Sequence, residues 1–272
     1  MIVDEIDWSA AWKEYSATRR SADAQEYWNK RAPSFKKKAG TSPYTQEFLR
    51  IAGIQAGESV LDMGCGSGTL ALPLAKQGCH VHAADFSQTM LELLNEQAEA
   101  DGVAGSITTQ LLAWADDWSA AQVPACDVAL ASRSISTDDL AGALQKLDSH
   151  AARRVCLTLS TGQSPRFDNC LVKLLGRETA VLPEYVYAMN MLWQMGRSPE
   201  LRMIESPRVS LYESPQHALE KNAELFDVTP DERRILEEYV STHMYAVQTE
   251  EGQQWRFDHD RTVGWACISW NK

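Results

Sequence analysis

Val60-Leu61-Asp62-Met63-Gly64-Cys65-Gly66-Ser67-Gly68 is the stretch on which the fold reading turns. Residues 59–63 read as a short buried strand, and residues 69–77 as a helix that Gly78 ends. Pro73 is tolerable in that helix because it lies near the first turn. The glycines therefore fall where a first strand gives way to a helix. In open α/β sheets this is the crevice at the carboxyl ends of the strands, where ligands bind. Glycine permits the tight turn and a close approach to the backbone, and the amides opening the helix can meet an anion or a polar tail.

The spacing narrows the ligand. A dinucleotide fingerprint, G-x-G-x-x-G, needs glycine where Thr69 stands. The pattern here is D-x-G-x-G-x-G, and a carboxylate as close as Asp62 would repel a pyrophosphate. It suits a ligand with an amino group and no phosphate, and S-adenosylmethionine (SAM) is such a ligand. The next strand, 80–84, leads to Asp85, 21 residues after Gly64, where an acid would chelate two ribose hydroxyls. Such an acid serves NAD and SAM alike; the glycine spacing favours SAM. Phe86 and Met90 could line the adenine face.

Working outward, strands alternate with helices. Ser87 caps a helix with an apolar stripe of Met90, Leu91, Leu94 and Ala98. Strands follow at 107–112, 127–131 and 154–160, and Thr137 is expected to cap a helix carrying Leu140, Leu144 and Leu147. This alternation predicts an α/β fold, a doubly wound, seven-stranded, mostly parallel sheet covered on both faces. Residues 1–40, rich in aromatics (Trp8, Trp12, Tyr15, Tyr27, Trp28 and Phe35), are expected to form a helical lid on a domain spanning 41–272. Past Gly162 the rhythm weakens. Helical pieces are expected at 168–175 and 184–195, and a strand near 208–212. Ser214-Pro215 and a capping box at Thr229-Pro230-Asp231-Glu232 open two further helices. Residues 254–258 and 262–270 read as an antiparallel ribbon turning at His259-Asp260. No stretch reads as an interdomain linker, and the part beyond about 162 is expected to shape a substrate cavity.

Composition sets limits. Of 272 residues, 44% are apolar and 23% charged, the range of a folded globular chain. The longest apolar candidate, 181–195, is broken by Pro183, Glu184, Asn190 and Gln194, so no membrane span is expected. The acidic N-terminus lacks the basic region of a signal peptide, which points to the cytoplasm. A net charge of -11 argues against nucleic acid as a partner, unless Lys30 to Lys38 forms a docking strip. The six cysteines show no C-x-x-C pair and read as reduced, structural residues.

Asp62 to Gly68, Asp85-Phe86-Ser87-Gln88-Thr89-Met90 and Cys126-Asp127-Val128-Ala129-Leu130-Ala131-Ser132 resemble motifs I, II and IV of class I SAM-dependent methyltransferases. Tyr27-Trp28-Asn29-Lys30-Arg31-Ala32-Pro33-Ser34-Phe35 is similar to the W-N-x-R-A-x-x-F lead-in of a bacterial small-molecule branch. The resemblance covers residues 25–160. It implies that Gly64, Cys65 and Gly66 meet the amino-acid tail of the cofactor S-adenosyl-L-methionine, with Asp62 ordering the loop or a water. It places Asp85 on the ribose, Phe86 and Met90 on the adenine, and Ser132 beside the methionine portion. Tyr27 or Tyr44 would close over the cofactor. One departure stands out: the branch has an acid followed by Trp after the third strand, and here Ala113 precedes Trp114. Either Asp116 reaches the adenine or a backbone carbonyl accepts from it. The activity implied is methyl transfer to a small-molecule acceptor. A SAM-binding module without transferase activity and an NAD-type oxidoreductase are the rivals.

Weaker signals have bland readings beside the sharp ones. His80 and His82 share a strand face but lack a third metal ligand, so no metal is expected. His243 reads as a surface histidine or a general base. Arg133 could pair with an acidic group on the substrate or neutralise nearby carboxylates. Tyr185, Tyr187, Met189, Met191, Trp193 and Met195 read as a core stripe or as the wall of an apolar pocket. No Gly-x-Ser-x-Gly motif and no P-loop lysine is present.

Overall fold

The computed structural model describes residues 5–17, 42–162, 167–177, 183–250 and 252–272. The chain opens with α1 (Trp8–Ala17) and α2 (Pro43–Ala52), then β1 (Ser59–Met63), α3 (Ala71–Lys76), β2 (His80–Asp85), α4 (Gln88–Ala100) and β3 (Ile107–Leu111). It continues through β4 (Cys126–Ser132), α5 (Leu140–His150), β5 (Ala151–Ser160), α6 (Asn169–Leu174), α7 (Tyr185–Gln194) and β6 (Glu200–Pro207). The last elements are α8 (Pro215–Phe226), α9 (Pro230–His243), β7 (Met244–Thr249), β8 (Gly252–Phe257) and β9 (Thr262–Asn271). The residues group into two compact units. One comprises Met1–Leu159, Glu184–Ile204 and Trp265–Lys272; the other comprises Ser160–Pro183 and Glu205–Gly264.

The first unit carries the seven-stranded sheet, in the order β3-β2-β1-β4-β5-β9-β6. The pairings β1 to β2, β2 to β3, β1 to β4 and β4 to β5 are parallel. From β1 the chain winds one way through β2 to β3, then returns to β4 on the opposite side. The carboxyl ends of β1 and β4 thus form the topological switch point. The pleat sends alternate side chains to opposite faces. Leu61, Met63, Ala129 and Ala131 join a core with Trp12 of α1, Leu144 of α5 and Leu192 of α7. Val60, Val128 and Leu130 join a second core with Phe48 of α2, Leu74 of α3 and Leu94 of α4. A sheet covered on both faces explains why its strands read as continuous apolar runs.

Local chemistry sets the helix ends. Ser42 accepts the Thr45 amide at 3.1 Å to start α2 behind Pro43, and Gly53, at φ +60°, ends it. Ser87 caps α4, as expected. The cap of α5 is Asp139 rather than Thr137: Asp139 Oδ1 accepts the Gly142 amide at 2.9 Å, while Thr137 Oγ1 accepts the Asp139 amide at 3.1 Å and shapes the preceding turn. Asp148 near the end of α5 gathers three donors, Trp270 Nε1 at 2.8 Å, Arg197 Nη2 at 2.7 Å and Lys272 Nζ at 2.7 Å. Burial pushes its carboxyl up, but the three donors together hold it below its ordinary value.

The second unit packs α6, α8 and α9 with the antiparallel ribbon β7–β8 around Leu171, Tyr212, Phe226, Leu236, Val240 and Phe257. Ser214 caps α8, and the capping box at Thr229 and Glu232 opens α9. Arg177 grips both oxygens of Glu232, at 2.7 and 2.8 Å.

Two strand expectations are corrected. The antiparallel ribbon is β7 with β8, while β9 enters the seven-stranded sheet between β5 and β6. Ala266, Cys267, Ile268, Ser269 and Trp270 are all buried in succession. Such a run needs cover on both faces, which an interior strand of the sheet has and the half-exposed β8 lacks, so the expected last hairpin of the sheet is split between the two sheets. The strand expected at 208–212 lies earlier, at β6; of the later stretch, Tyr212 makes one antiparallel bridge to Trp255.

Of the expected lid, Trp12 and Tyr15 are buried on α1, where Tyr187 of α7 meets both rings at 5.5 and 5.6 Å. Tyr27, Trp28, Lys30, Phe35 and Lys38 lie outside the described residues. No helix among the described residues is long and apolar enough to cross a membrane.

Candidate functional site

The glycine loop leaves β1 at the switch point, pinned by Gly64 and Cys65, whose amides both donate to Ala84 O at 2.7 and 3.0 Å. Gly64, Gly66 and Gly68 have φ of +75°, +53° and +90°. The three differ in their surroundings. A Cβ on Gly64 would fall 2.2 Å from Ser134 Cβ, and one on Gly68 would fall 2.4 Å from Leu94 Cδ1. A Cβ on Gly66 would meet nothing within 4 Å. Packing thus demands the outer glycines, while the middle one faces open space.

Two buried acids flank the loop. Asp85 ends β2, and its carboxylate accepts the Gly66 amide at 2.8 Å and the Ser87 amide at 2.9 Å. Burial pushes this carboxyl above its ordinary value, against the Ser87, Gly66 and Phe86 amides, which pull it down. Asp62 on β1 is 1% exposed, and its Oδ2 has no hydrogen-bond partner. Burial first, and the neighbouring Asp85 charge second, push its carboxyl up to about 7. An unpartnered buried carboxylate oxygen is costly, and it calls for a cation or a donor supplied from outside the chain.

The carboxyl end of β4 runs alongside. Ser134, which no sequence motif marks, donates its Oγ proton to Met63 O at 2.6 Å, and its carbonyl accepts Trp114 Nε1 at 2.8 Å. Its only sequence signal is its place two residues after Ser132. Tyr44 sits on α2, and its hydroxyl lies 2.8 Å from both Ser132 Oγ and Thr158 Oγ1. Burial pushes the Tyr44 phenol up to about 12, against the lowering effect of Arg133. Phe86 is half-buried and Met90 buried at the start of α4; Cys65 is buried, with burial pushing its thiol up. Ala113 donates its amide to Asp116 Oδ2 at 2.8 Å, so Asp116 closes the turn on which Trp114 sits. Tyr27 lies outside the described residues.

The weaker signals separate. His82 Nε2 pairs with Gln110 Oε1 at 2.6 Å, while His80 is exposed. Tyr187 and Met191 belong to the core of the first unit. In the second unit His243 stacks on Tyr239 at 4.0 Å, and its Nδ1 lies 3.2 Å from Tyr239 O. A different histidine, His259, lies 2.9 Å from Asp168 Oδ2 and 3.1 Å from the Tyr239 hydroxyl. Asp168, Cys170 and His259 are the group among the described residues whose donor atoms all lie within 4.8 Å of one another.

The site fits a ligand that brings positive charge and no phosphate: two buried carboxylates, one with an orphaned oxygen, and open space over Gly66. Residues 60–153 match the family model described as a methyltransferase domain. An uncharacterized protein of Haemophilus influenzae is 40% identical over 181 residues, which is 66% of this chain and 66% of that one. A ubiquinone biosynthesis O-methyltransferase of Rickettsia conorii is 38% identical over 61 residues, 22% of this chain and 21% of that one. Among solved structures, the YcgJ protein of Bacillus subtilis superposes with a TM-score of 0.52 at 16% identity, over 84% of this chain and 97% of that one; this likeness concerns the fold. The chain spans about two thirds of the Haemophilus protein and a much smaller part of the Rickettsia enzyme. Residues 60–153 thus carry a methyltransferase domain, which runs from the glycine loop into β5 on the strand order of a Rossmann-like methyltransferase fold.

Proposed function

We propose that this chain transfers the methyl group of S-adenosylmethionine to a small-molecule acceptor. The observation that carries the reading is the orphaned Oδ2 of buried Asp62 beside the glycine loop, whose chemistry fits a cationic group such as an ammonium or a donor it orders. When bound, the cofactor supplies a methyl carbon on a sulfonium, which an acceptor lone pair can displace in line. The chain's own residues bind, orient and exclude water, so no covalent intermediate on the protein is needed. Asp85 holds the ribose hydroxyls and fixes the loop through Gly66. Gly64, Cys65 and Gly66 border the amino-acid tail, and Ser132 borders the methionine portion, its hydroxyl set by Tyr44. Phe86 and Met90 flank the adenine, with Ala113 and Trp114 at its edge; the Asp116 carboxylate is already engaged by the Ala113 amide, which favours a backbone acceptor for the adenine amino group.

The acid-lined crevice opposes a dinucleotide, whose pyrophosphate would meet two carboxylates. Five buried cysteines support a reducing, cytoplasmic setting, and the net charge of -11 supports a small acceptor over nucleic acid. Titration calorimetry with SAM and with NADH tests the cofactor, and binding of NADH alone would overturn the reading. Incubation with methyl-labelled SAM and a metabolite extract tests the transfer. SAM binding with no labelled product would leave a SAM-binding module.

A further inference from the structure

We infer that Arg133 is the acceptor-recognition residue of this crevice and that the methyl acceptor is an anionic small molecule, carrying a carboxylate or a phosphate. The inference rests on the methyltransferase reading above. Arg133 follows Ser132 at the carboxyl end of β4 and precedes Ser134, the residue packed against Gly64. It is exposed, yet its position is fixed. Its amide donates to Thr158 Oγ1 at 2.9 Å, the same hydroxyl group that meets Tyr44, and its φ is +56°, which L side chains rarely adopt. Its guanidinium lies over the Tyr44 ring, 4.1 Å from the centroid, with the Trp265 ring 6.0 Å away.

Among the described residues the guanidinium has no acid beside it. Arg153 reaches Glu58 at 2.6 Å, Arg197 reaches Asp148 at 2.7 Å and Arg154 reaches Glu200 at 3.8 Å. Among the described residues no carboxylate comes within 4.0 Å of Arg133, although the chain holds 37 acids against 26 bases. Among the described residues, then, no carboxylate takes up the charge of Arg133. Held by aromatic faces, a guanidinium keeps its N–H donors for an outside partner, and their fork geometry matches a carboxylate or a phosphate. The aromatic shelf orders the side chain before the ligand arrives, which lowers the entropic cost of binding.

The test separates a metabolite extract on a strong anion exchanger at neutral pH and offers each fraction to the protein with methyl-labelled SAM. Label is expected in the retained fraction. Arg133→Gln makes the same backbone demand without the charge, and should cut that labelling at least tenfold while SAM affinity by calorimetry stays within twofold. Arg133→Lys, which keeps charge but not the fork, should fall between. Phosphatase treatment of the retained fraction assigns the group: lost labelling marks a phosphate, kept labelling a carboxylate, and either supports the inference. Label confined to the unretained fraction, or wild-type labelling by Arg133→Gln, overturns it. Failure of SAM itself to bind, read without any acceptor, overturns instead the methyltransferase reading beneath it.

Discussion

The Asp85 carboxylate accepts the Gly66 amide at 2.8 Å, so the end of β2 holds the loop that leaves β1. One side chain thereby ties together the two segments that a class I cofactor site needs in register. The parallel pairing of Asp62 with Ala83 and Met63 with Ala84 carries the same registration through the backbone.

Asp85→Ala removes both the loop anchor and the proposed ribose partner. SAM affinity should fall at least tenfold, about 1.4 kcal/mol. Calorimetry measures this, and an unchanged dissociation constant would remove the ribose role.

Asp62 gives a pH signature whose sign follows from its raised carboxyl. The folded chain holds this proton up to about 7, while the ordinary value is 3.8. Between those values the folded state binds more protons than the unfolded one, so this group's contribution makes stability fall as pH rises through that window. Asp62→Asn should lack that loss and melt higher than wild type at pH 8, with the gap narrowing at pH 5. A cation is drawn to the ionised form, so SAM affinity of the wild type should climb toward pH 7 and level above it. In the Asn variant it should be weaker and flat. Equal pH profiles for the two proteins would sink the assignment.

The glycines should separate folding from binding. Gly64→Ala places a methyl 2.2 Å from Ser134 Cβ at positive φ, and should cost about 3 kcal/mol or more in urea denaturation. Gly66→Ala meets open space, so its folding cost should stay near the ~1–2 kcal/mol of a left-handed alanine, with SAM binding the larger casualty. Equal folding losses at the two positions would contradict this division.

Tyr44→Phe deletes a hydroxyl that meets Ser132 and Thr158 in a buried setting. The expected loss is about 1–2 kcal/mol of stability by chemical denaturation. With its phenol pushed up to about 12, Tyr44 keeps its proton at neutral pH, so a pH–rate profile should show no Tyr44 ionisation there.

The β-strand and glycine-loop half of the fold was legible because its signals are local. Asp62, the glycines and Asp85 sit within one β–loop–α–β stretch, and the caps at Ser87, Ser214 and Thr229 are decided by neighbours three residues away. What escaped depends on long-range partners. β8 and β9 follow each other across a short turn, as the strands of a hairpin do, and only the two covering layers make β9 an interior strand. Ser134 gains its importance from Met63 and Gly64, some seventy residues earlier. Asp148 reads as an ordinary helix acid until Arg197, Trp270 and Lys272 converge on it. No linker betrays the second unit because the chain leaves the first unit after Leu159 and after Ile204, and re-enters it at Glu184 and at Trp265. Each passage uses residues that also read as strand or helix.

The strand order has a consequence for biosynthesis. β9 is made after the eight strands before it, yet it lies inside the sheet, between β5 and β6. While translation is in progress, β5 presents an unpaired edge and β6 has no neighbour in the sheet, a template for pairing with other nascent chains. Until β9 leaves the ribosome and closes that gap, the newborn polypeptide carries an open sheet edge.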